Sequence, residues 1–364
     1  MVKRMRKRVE VIDLTPTTGA VDVDAGEDLQ GDLFRCELTN VPLKDDMASM
    51  EVPIFSLSKI PDYEIREYRN GPRYVRITPS ASGAATMHDK DLLLYAVSHI
   101  TAQMNLNAQR GEPDKPVSGR VRIMSADFLH DTERGDGGGS YERILEMLRR
   151  LKGTQLETNI PTNGEVRTDG FSLIDSFSVL SEKKSTVMRT DKDSGEKVPV
   201  EVTRVLEFTV TLSEWMLNGV KAFQVKTLDR SYYRITSALE RRLYEIAAKH
   251  CGDQALWYID IDKLMAKVGT RSQRFKFRDD LRASIEGDRM PEYRIALDAN
   301  AKPDDVVFYT RDSNKLSAHL IKLRKEGVAG ITWFGKLERP DNVSTWRKKI
   351  DKPGAQQVID VEAR

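Results

Sequence analysis

Cysteine is nearly missing from this sequence: of 364 residues, only Cys36 and Cys251 carry a thiol. Two cysteines so far apart fit neither a disulfide framework nor the short spacing of a zinc site. They read as unpaired thiols of a chain kept in a reducing cytoplasm. Long apolar runs are missing too. No stretch approaches the roughly 18 residues of a membrane span, and the basic start Met1-Val-Lys-Arg-Met-Arg-Lys-Arg has no apolar segment behind it, so it is no secretory signal. The histidines His88, His99, His130, His250 and His319 are scattered, with no His-x-His and no His-Glu-x-x-His. A strand-nicking enzyme would need a metal-binding histidine pair near a tyrosine, and the sequence offers none. Gly330-Ile-Thr-Trp-Phe-Gly-Lys-Leu nearly fits a phosphate-binding loop. However, Leu337 stands where a Ser or Thr should reach Mg²⁺, and Glu-Arg-Pro follows instead of a helix. The glycines around Gly137 lack the βαβ unit of a dinucleotide site and are expected to let the chain turn between helices. The acid pairs Asp45-Asp46 and Asp279-Asp280 read as solvated faces. No catalytic residue, metal or cofactor is expected.

What is present is charge, and it is segregated. The formal net charge is +2. Residues 1 to 10 carry five basic and one acidic side chain, whereas residues 11 to 51 carry ten acidic and two basic ones. The remainder is moderately basic, a balance compatible with a nucleic-acid partner. Residues 1–51 are expected to form a disordered leader, acidic after its basic start.

The 39% apolar content supports ordinary cores, and the length suggests two domains. One plan is written twice. Its first copy runs from helix Asp89 to Met104, through strand Arg120 to Met124 and short helix Ser125 to Leu129, to a basic helix from Ser140 to Lys152. A hairpin follows, with strands at 154–160 and 171–180. The second copy has helix Ser237 to His250, strand Leu256 to Ile259, short helix Asp260 to Val268, basic helix Ser272 to Ile285, and a hairpin of 292–297 with 306–311. Asn70-Gly71 adds a hairpin before the first copy, residues 182–199 read as a flexible excursion, and a helix is expected from Lys315 to Lys325. Helix, strand, helix, helix, hairpin is the order of a winged helix, which places its last helix in a DNA major groove. The fold class expected is α+β with tandem winged-helix domains at 52–220 and 221–311, and an extension at 312–364.

Helical spacing names the outward side chains. In the first basic helix Ile144, Leu148 and Leu151 form the inward stripe, which turns Arg143, Arg149 and Arg150 outward. In the second, Phe277, Leu281 and Ile285 point inward; Lys276, Asp279 and Arg282 take the open side, with Arg274 and Arg278 on its flanks. The candidate DNA contacts are therefore Ser272, Gln273, Arg274, Lys276, Arg278 and Arg282 in the second unit and Arg143, Arg149 and Arg150 in the first. Arg167 and Lys302 are added as hairpin contacts.

At several of these places the sequence resembles the RepA-type plasmid replication initiators of proteobacteria. The resemblance is carried by Lys44-Asp-Asp-Met-Ala-Ser-Met-Glu-Val-Pro-Ile-Phe-Ser-Leu-Ser-Lys, His88-Asp-Lys-Asp-Leu-Leu-Leu-Tyr and Gly137-Gly-Gly-Ser-Tyr-Glu-Arg-Ile. Leu151-Lys-Gly-Thr-Gln-Leu-Glu-Thr-Asn-Ile, Thr211-Leu-Ser-Glu-Trp and Leu239-Glu-Arg-Arg-Leu-Tyr-Glu-Ile-Ala-Ala-Lys-His-Cys-Gly complete it. It implies a non-enzymatic, cytoplasmic, plasmid-associated initiator that binds repeated duplex sites at an origin. It further implies recruitment of the host initiator and replicative helicase, and a homodimer through the first domain. A transcriptional repressor using the same two domains without initiating replication is the alternative. An adaptor in which they serve only as scaffold is the third.

Overall fold

A computed structural model describes residues 33–36, 38, 41–70, 72–135, 138–159, 168–182, 185–190, 195–202, 205–222, 224–252, 254–298 and 305–325. The architecture is mixed α/β. Strands β1 (Leu33–Arg35) and β2 (Lys44–Asp46) and the short helix α1 (Met47–Glu51) come first. The hairpin of β3 (Arg66–Asn70) and β4 (Arg73–Thr78) follows. Next come helix α2 (Lys90–Gln109), strand β5 (Arg120–Met124) and helices α3 (Ser125–Asp131) and α4 (Gly138–Gly153). Beyond them lie β6 (Gln155–Thr158), β7 (Asp169–Ser172), β8 (Ile174–Ser181), β9 (Ser185–Thr190), β10 (Lys197–Val202) and β11 (Val205–Leu212). Helix α5 (Glu214–Lys221) and strand β12 (Val225–Thr227) lead through a 3-10 turn at Arg230–Arg234 into the second copy. That copy consists of α6 (Ala238–Cys251), β13 (Leu256–Asp260), α7 (Ile261–Val268), α8 (Arg274–Gly287), the hairpin of β14 (Tyr293–Asp298) and β15 (Asp305–Thr310), and α9 (Ser313–Lys325).

Within each copy the three helices and the strand between the first two come in the order the periodicity predicts, but the first copy is wired differently from the second. In the second, β15 lies between β13 and β14, so the strand between the first two helices joins the hairpin in one antiparallel sheet. In the first, β6 and β7 instead extend the β3–β4 hairpin, while β5 pairs with β11, which pairs with β8. The expected strand at 171–180 is therefore two strands that bend at Leu173 and serve different sheets. The expected flexible excursion at 182–199 holds β9 and the first half of β10, which pair antiparallel, and α2 continues five residues beyond Met104.

Two sets of buried apolar side chains form the cores. One is drawn from α2, β5, α3, α4, β8, β11 and α5, with Ile100, Ile123, Leu148, Ile174 and Val210 essentially without solvent contact. The other is drawn from α6, α7, α8 and the second sheet, with Leu243, Leu264, Leu281, Leu297 and Phe308 equally buried. Each such residue stabilises the fold by roughly 1.5–3 kcal/mol relative to exposure.

The expectation of a disordered leader through residue 51 is overturned for its last part. β1 lies parallel to β5, β2 pairs with β12, and Leu43 and Met50 are buried in the second core. Asp45 and Asp46, expected on a solvated face, are buried as well. The physical reason is pairing. Lys90 Nζ, at the start of α2, donates to Asp45 Oδ2 at 2.7 Å and lies 2.9 Å from Glu245 Oε1 of α6; all three side chains are at most 1% exposed. Arg242 meets Glu245 at 3.2 Å and donates to the backbone carbonyls of Ser49 and Lys267. Segment 41–51 is thus a strap, closed into the seam between the two cores by polar and ionisable groups that cannot be buried without partners.

That seam has a pH signature. Burial pushes the Asp45 carboxyl up from 3.8 to about 8, with Lys90 pulling the other way. A folded value above the ordinary one means that folding favours the protonated form. Its contribution is complete below about pH 4 and is lost as pH rises through about 8. Asp45→Asn is expected to remove this slope, which urea melts at pH 5, 7 and 8.5 would register as a difference from the parent that changes across the window. Parallel curves would contradict it.

Candidate nucleic-acid interface

Helix α8 is built outward from its neighbours. Asp260 caps α7, accepting from the amides of Asp262 and Lys263 at 2.7 and 3.2 Å. Gly269 ends α7 at φ 76°, where a side chain would be strained, and a Cβ there would lie 2.5 Å from that of Pro53. The turn between α7 and α8 therefore presses on the first unit. Arg271, in that turn, donates to Asp62 at 2.7 Å and also pairs with Glu64, a second tie across the seam. Phe277, Leu281 and Ile285 bury the inner face of α8. At its far end Asp288 takes the left-handed conformation (φ 46°) and is gripped by Arg294 at 2.9 Å and Arg311 at 2.6 Å. Those two arginines lock the hairpin to the helix, and sequence reading found neither.

The candidate contacts of the second unit separate by exposure. Gln273, which precedes α8, and Arg274 and Lys276 in its first turn are exposed. Arg274 meets Asp262 at 3.2 Å, both side chains remaining about half in water. Ser272 is half-buried, its amide donating to the Thr270 hydroxyl at 3.1 Å, and Arg278 is half-buried. Arg282 is 38% exposed and lies 3.3 Å from Asp279, one turn away.

In the first unit Arg143 and Arg149 are exposed on α4, opposite the buried Ile144, Leu148 and Leu151. Arg150 is a correction. Its Nε and Nη2 donate to Asp89 Oδ2 and Oδ1, both at 2.7 Å, and only 20% of the side chain meets solvent. It clamps α4 to the start of α2 rather than facing outward, because Asp89 is buried there and needs a cation. Arg150→Ala is expected to lower stability by about 2 kcal/mol while leaving any salt dependence of duplex affinity unchanged. A denaturant melt and a salt titration check the two halves separately. Arg167 and Lys302 lie outside the described residues.

Other positions carry structural roles. His99 packs on Tyr95 with ring centroids 4.4 Å apart, and His250 stacks on Trp257 at 4.3 Å. Burial pushes both imidazoles down to about 4. Among the described residues no group of three or more His, Cys, Asp or Glu could hold a metal ion, and no helix is long and apolar enough to cross a membrane. Among the described residues, the outward faces of two helices carry exposed cations, each helix third in its copy and each followed by a hairpin.

A two-core α/β protein with such helices defines a class, and the sequence places the chain within it. Residues 44–295 match the model of the family "Replication initiator protein A". The chain is also 32% identical over 269 residues to a putative replication protein of Wigglesworthia glossinidia brevipalpis, covering 74% of this chain and 89% of that one. The chain belongs to the replication initiator protein A family. Among solved structures, a crystal structure of domains 2 and 3 of RctB aligns with a TM-score of 0.46 at 13% identity, covering 73% of this chain and 96% of that one. A second crystal structure of RctB domains 2–3 gives 0.43 at 13% identity, covering 71% and 94%.

Proposed function

We propose that this chain is a plasmid replication initiator that folds as tandem winged-helix units and binds repeated duplex DNA sites at an origin. The observation that carries the reading is the doubled plan. In each copy a helix with exposed cations comes third and is followed by a hairpin, and in the second copy the sheet order β13-β15-β14 is that of a winged helix. In this reading α8 enters a major groove with Gln273, Arg274, Lys276 and Arg282, with Ser272 and Arg278 at its edges. Arg143 and Arg149 engage a second stretch of the same duplex. Arg167, between β6 and β7 in sequence, and Lys302, between β14 and β15 in sequence, would add backbone contacts. Phosphate contacts supply salt-dependent affinity, and a few base-edge contacts supply sequence preference.

Family membership supports the further roles: recruitment of the host initiator and replicative helicase, and pairing of two copies through the first unit. In that unit β8 is one of the two edge strands of its sheet among the described residues, β1 being the other. No catalytic step is assigned to the chain, and its place is the cytoplasm, with its plasmid.

The test is a duplex selected from a random pool by the purified chain, titrated across a salt series. Arg282→Ala is expected to cost about 1–3 kcal/mol on the selected duplex with relaxed preference at one position. If Arg282 touches phosphate alone, the salt slope instead shrinks by about one and preference survives. No change in either would remove Arg282 from the interface, and a parent chain that binds no duplex would overturn the reading.

A further inference from the structure

The outward face of α8 is not a plain cationic strip. Helix residues turn by about 100° each, so the positions opposite buried Phe277 are Phe275, Asp279, Arg282 and Glu286. Phe275 is 66% exposed, whereas Phe55, Phe128, Phe208, Phe277 and Phe308 are at most 3% exposed. Phenylalanine is among the residues most often fully buried. A ring standing in water on the first turn of a helix contributes little to the fold that holds it. Its chain neighbours Arg274 and Lys276 are exposed cations, and Gln273 is exposed beside them. An apolar ring in a cationic collar fits a partner that is anionic outside and apolar within. The major groove has this form, with phosphates on its walls and the 5-methyl of thymine as the apolar feature of its floor.

We infer that Phe275 is a specificity-determining residue whose ring contacts a thymine methyl while Arg274 and Lys276 hold phosphates to either side. This rests on α8 being the groove helix. It adds an apolar element to a site that composition suggests is purely polar.

The experiment uses the full chain and the duplex it selects from a random pool, with each thymine replaced in turn by deoxyuridine, which lacks only the methyl. Affinity of the parent is expected to fall about fourfold at one or two thymines, the worth of one buried methyl-sized group. Phe275→Ala is expected to bind more weakly and to be indifferent to those same replacements, with Phe275→Leu keeping part of the sensitivity. Thermal melts matching the parent establish that the variants fold. Undiminished deoxyuridine sensitivity in Phe275→Ala, or none in the parent, overturns the inference while leaving DNA binding intact. Weaker binding by Phe275→Ala that is accompanied by unchanged methyl sensitivity also overturns it. A parent that binds no duplex removes the groove reading of α8, and this inference with it.

Discussion

Lys90→Met is expected to destabilise the chain by about 3–5 kcal/mol, although it keeps most of the side chain's apolar stem and removes only the ammonium end. Burial alone would strip Lys90 of its proton, but Asp45 and Glu245 outweigh that and hold it above the usual lysine range. Without the ammonium, Asp45, already raised by burial, loses the partner that pulls it down and stays neutral, and Glu245 loses one of its two cations while it retains Arg242 at 3.2 Å and the Tyr232 hydroxyl at 2.8 Å. The strap 41–51 would then lose its anchor between the cores. Equilibrium urea unfolding measures the loss, and a change below about 1 kcal/mol would contradict the assignment of Lys90 as the keystone of the seam. Because the same seam carries Arg241 against Asp91 and Lys249 against Glu51 at 2.8 Å, loosened coupling between the two units should accompany the loss.

Reversing both exposed cations of the first turn of α8, Arg274→Glu with Lys276→Glu, is expected to lower duplex affinity on the order of 100-fold at physiological salt. The salt slope should shrink by about two, one for each phosphate that is no longer neutralised. The fold should survive. Arg274 gives up only a half-exposed pair with Asp262, an interaction of a kind worth roughly 0–1 kcal/mol, and Lys276 is exposed. The two effects of Lys90→Met and of this reversal are thus separable: one acts on stability, the other on affinity at unchanged stability. Retained affinity in the reversed variant would take α8 out of the interface.

Much of the fold was legible because apolar periodicity is local. The stripes Ile144–Leu148–Leu151 and Phe277–Leu281–Ile285 are buried as the spacing predicts, and Ser237 caps α6 by accepting from the Glu240 amide. What was not legible depends on partners distant in sequence. Lys90 and Glu245 are 155 positions apart, and nothing in either segment announces that both are buried. Arg241 and Arg242, on a helix whose composition reads as amphipathic, are buried by carbonyls and carboxylates supplied from both units. Acidic composition concealed the strap for the same reason, since Asp45 looks solvated until Lys90 is brought to it, and Glu51, itself still half in water, gives no sign that Lys249 and Lys267 will pair with it. At the candidate interface, spacing put Arg150 outward because one-dimensional periodicity cannot see Asp89 on another helix. It left out Phe275 because an apolar residue is taken for core unless its angle to the stripe is checked.

On the proposed reading both cationic helices hold one duplex at once. Hydroxyl-radical footprinting of the full chain on its selected duplex tests this most directly. Two protected patches about one helical turn apart are expected, with Arg143→Glu plus Arg149→Glu erasing one and sparing the other. A single patch that is indifferent to those α4 substitutions would contradict it.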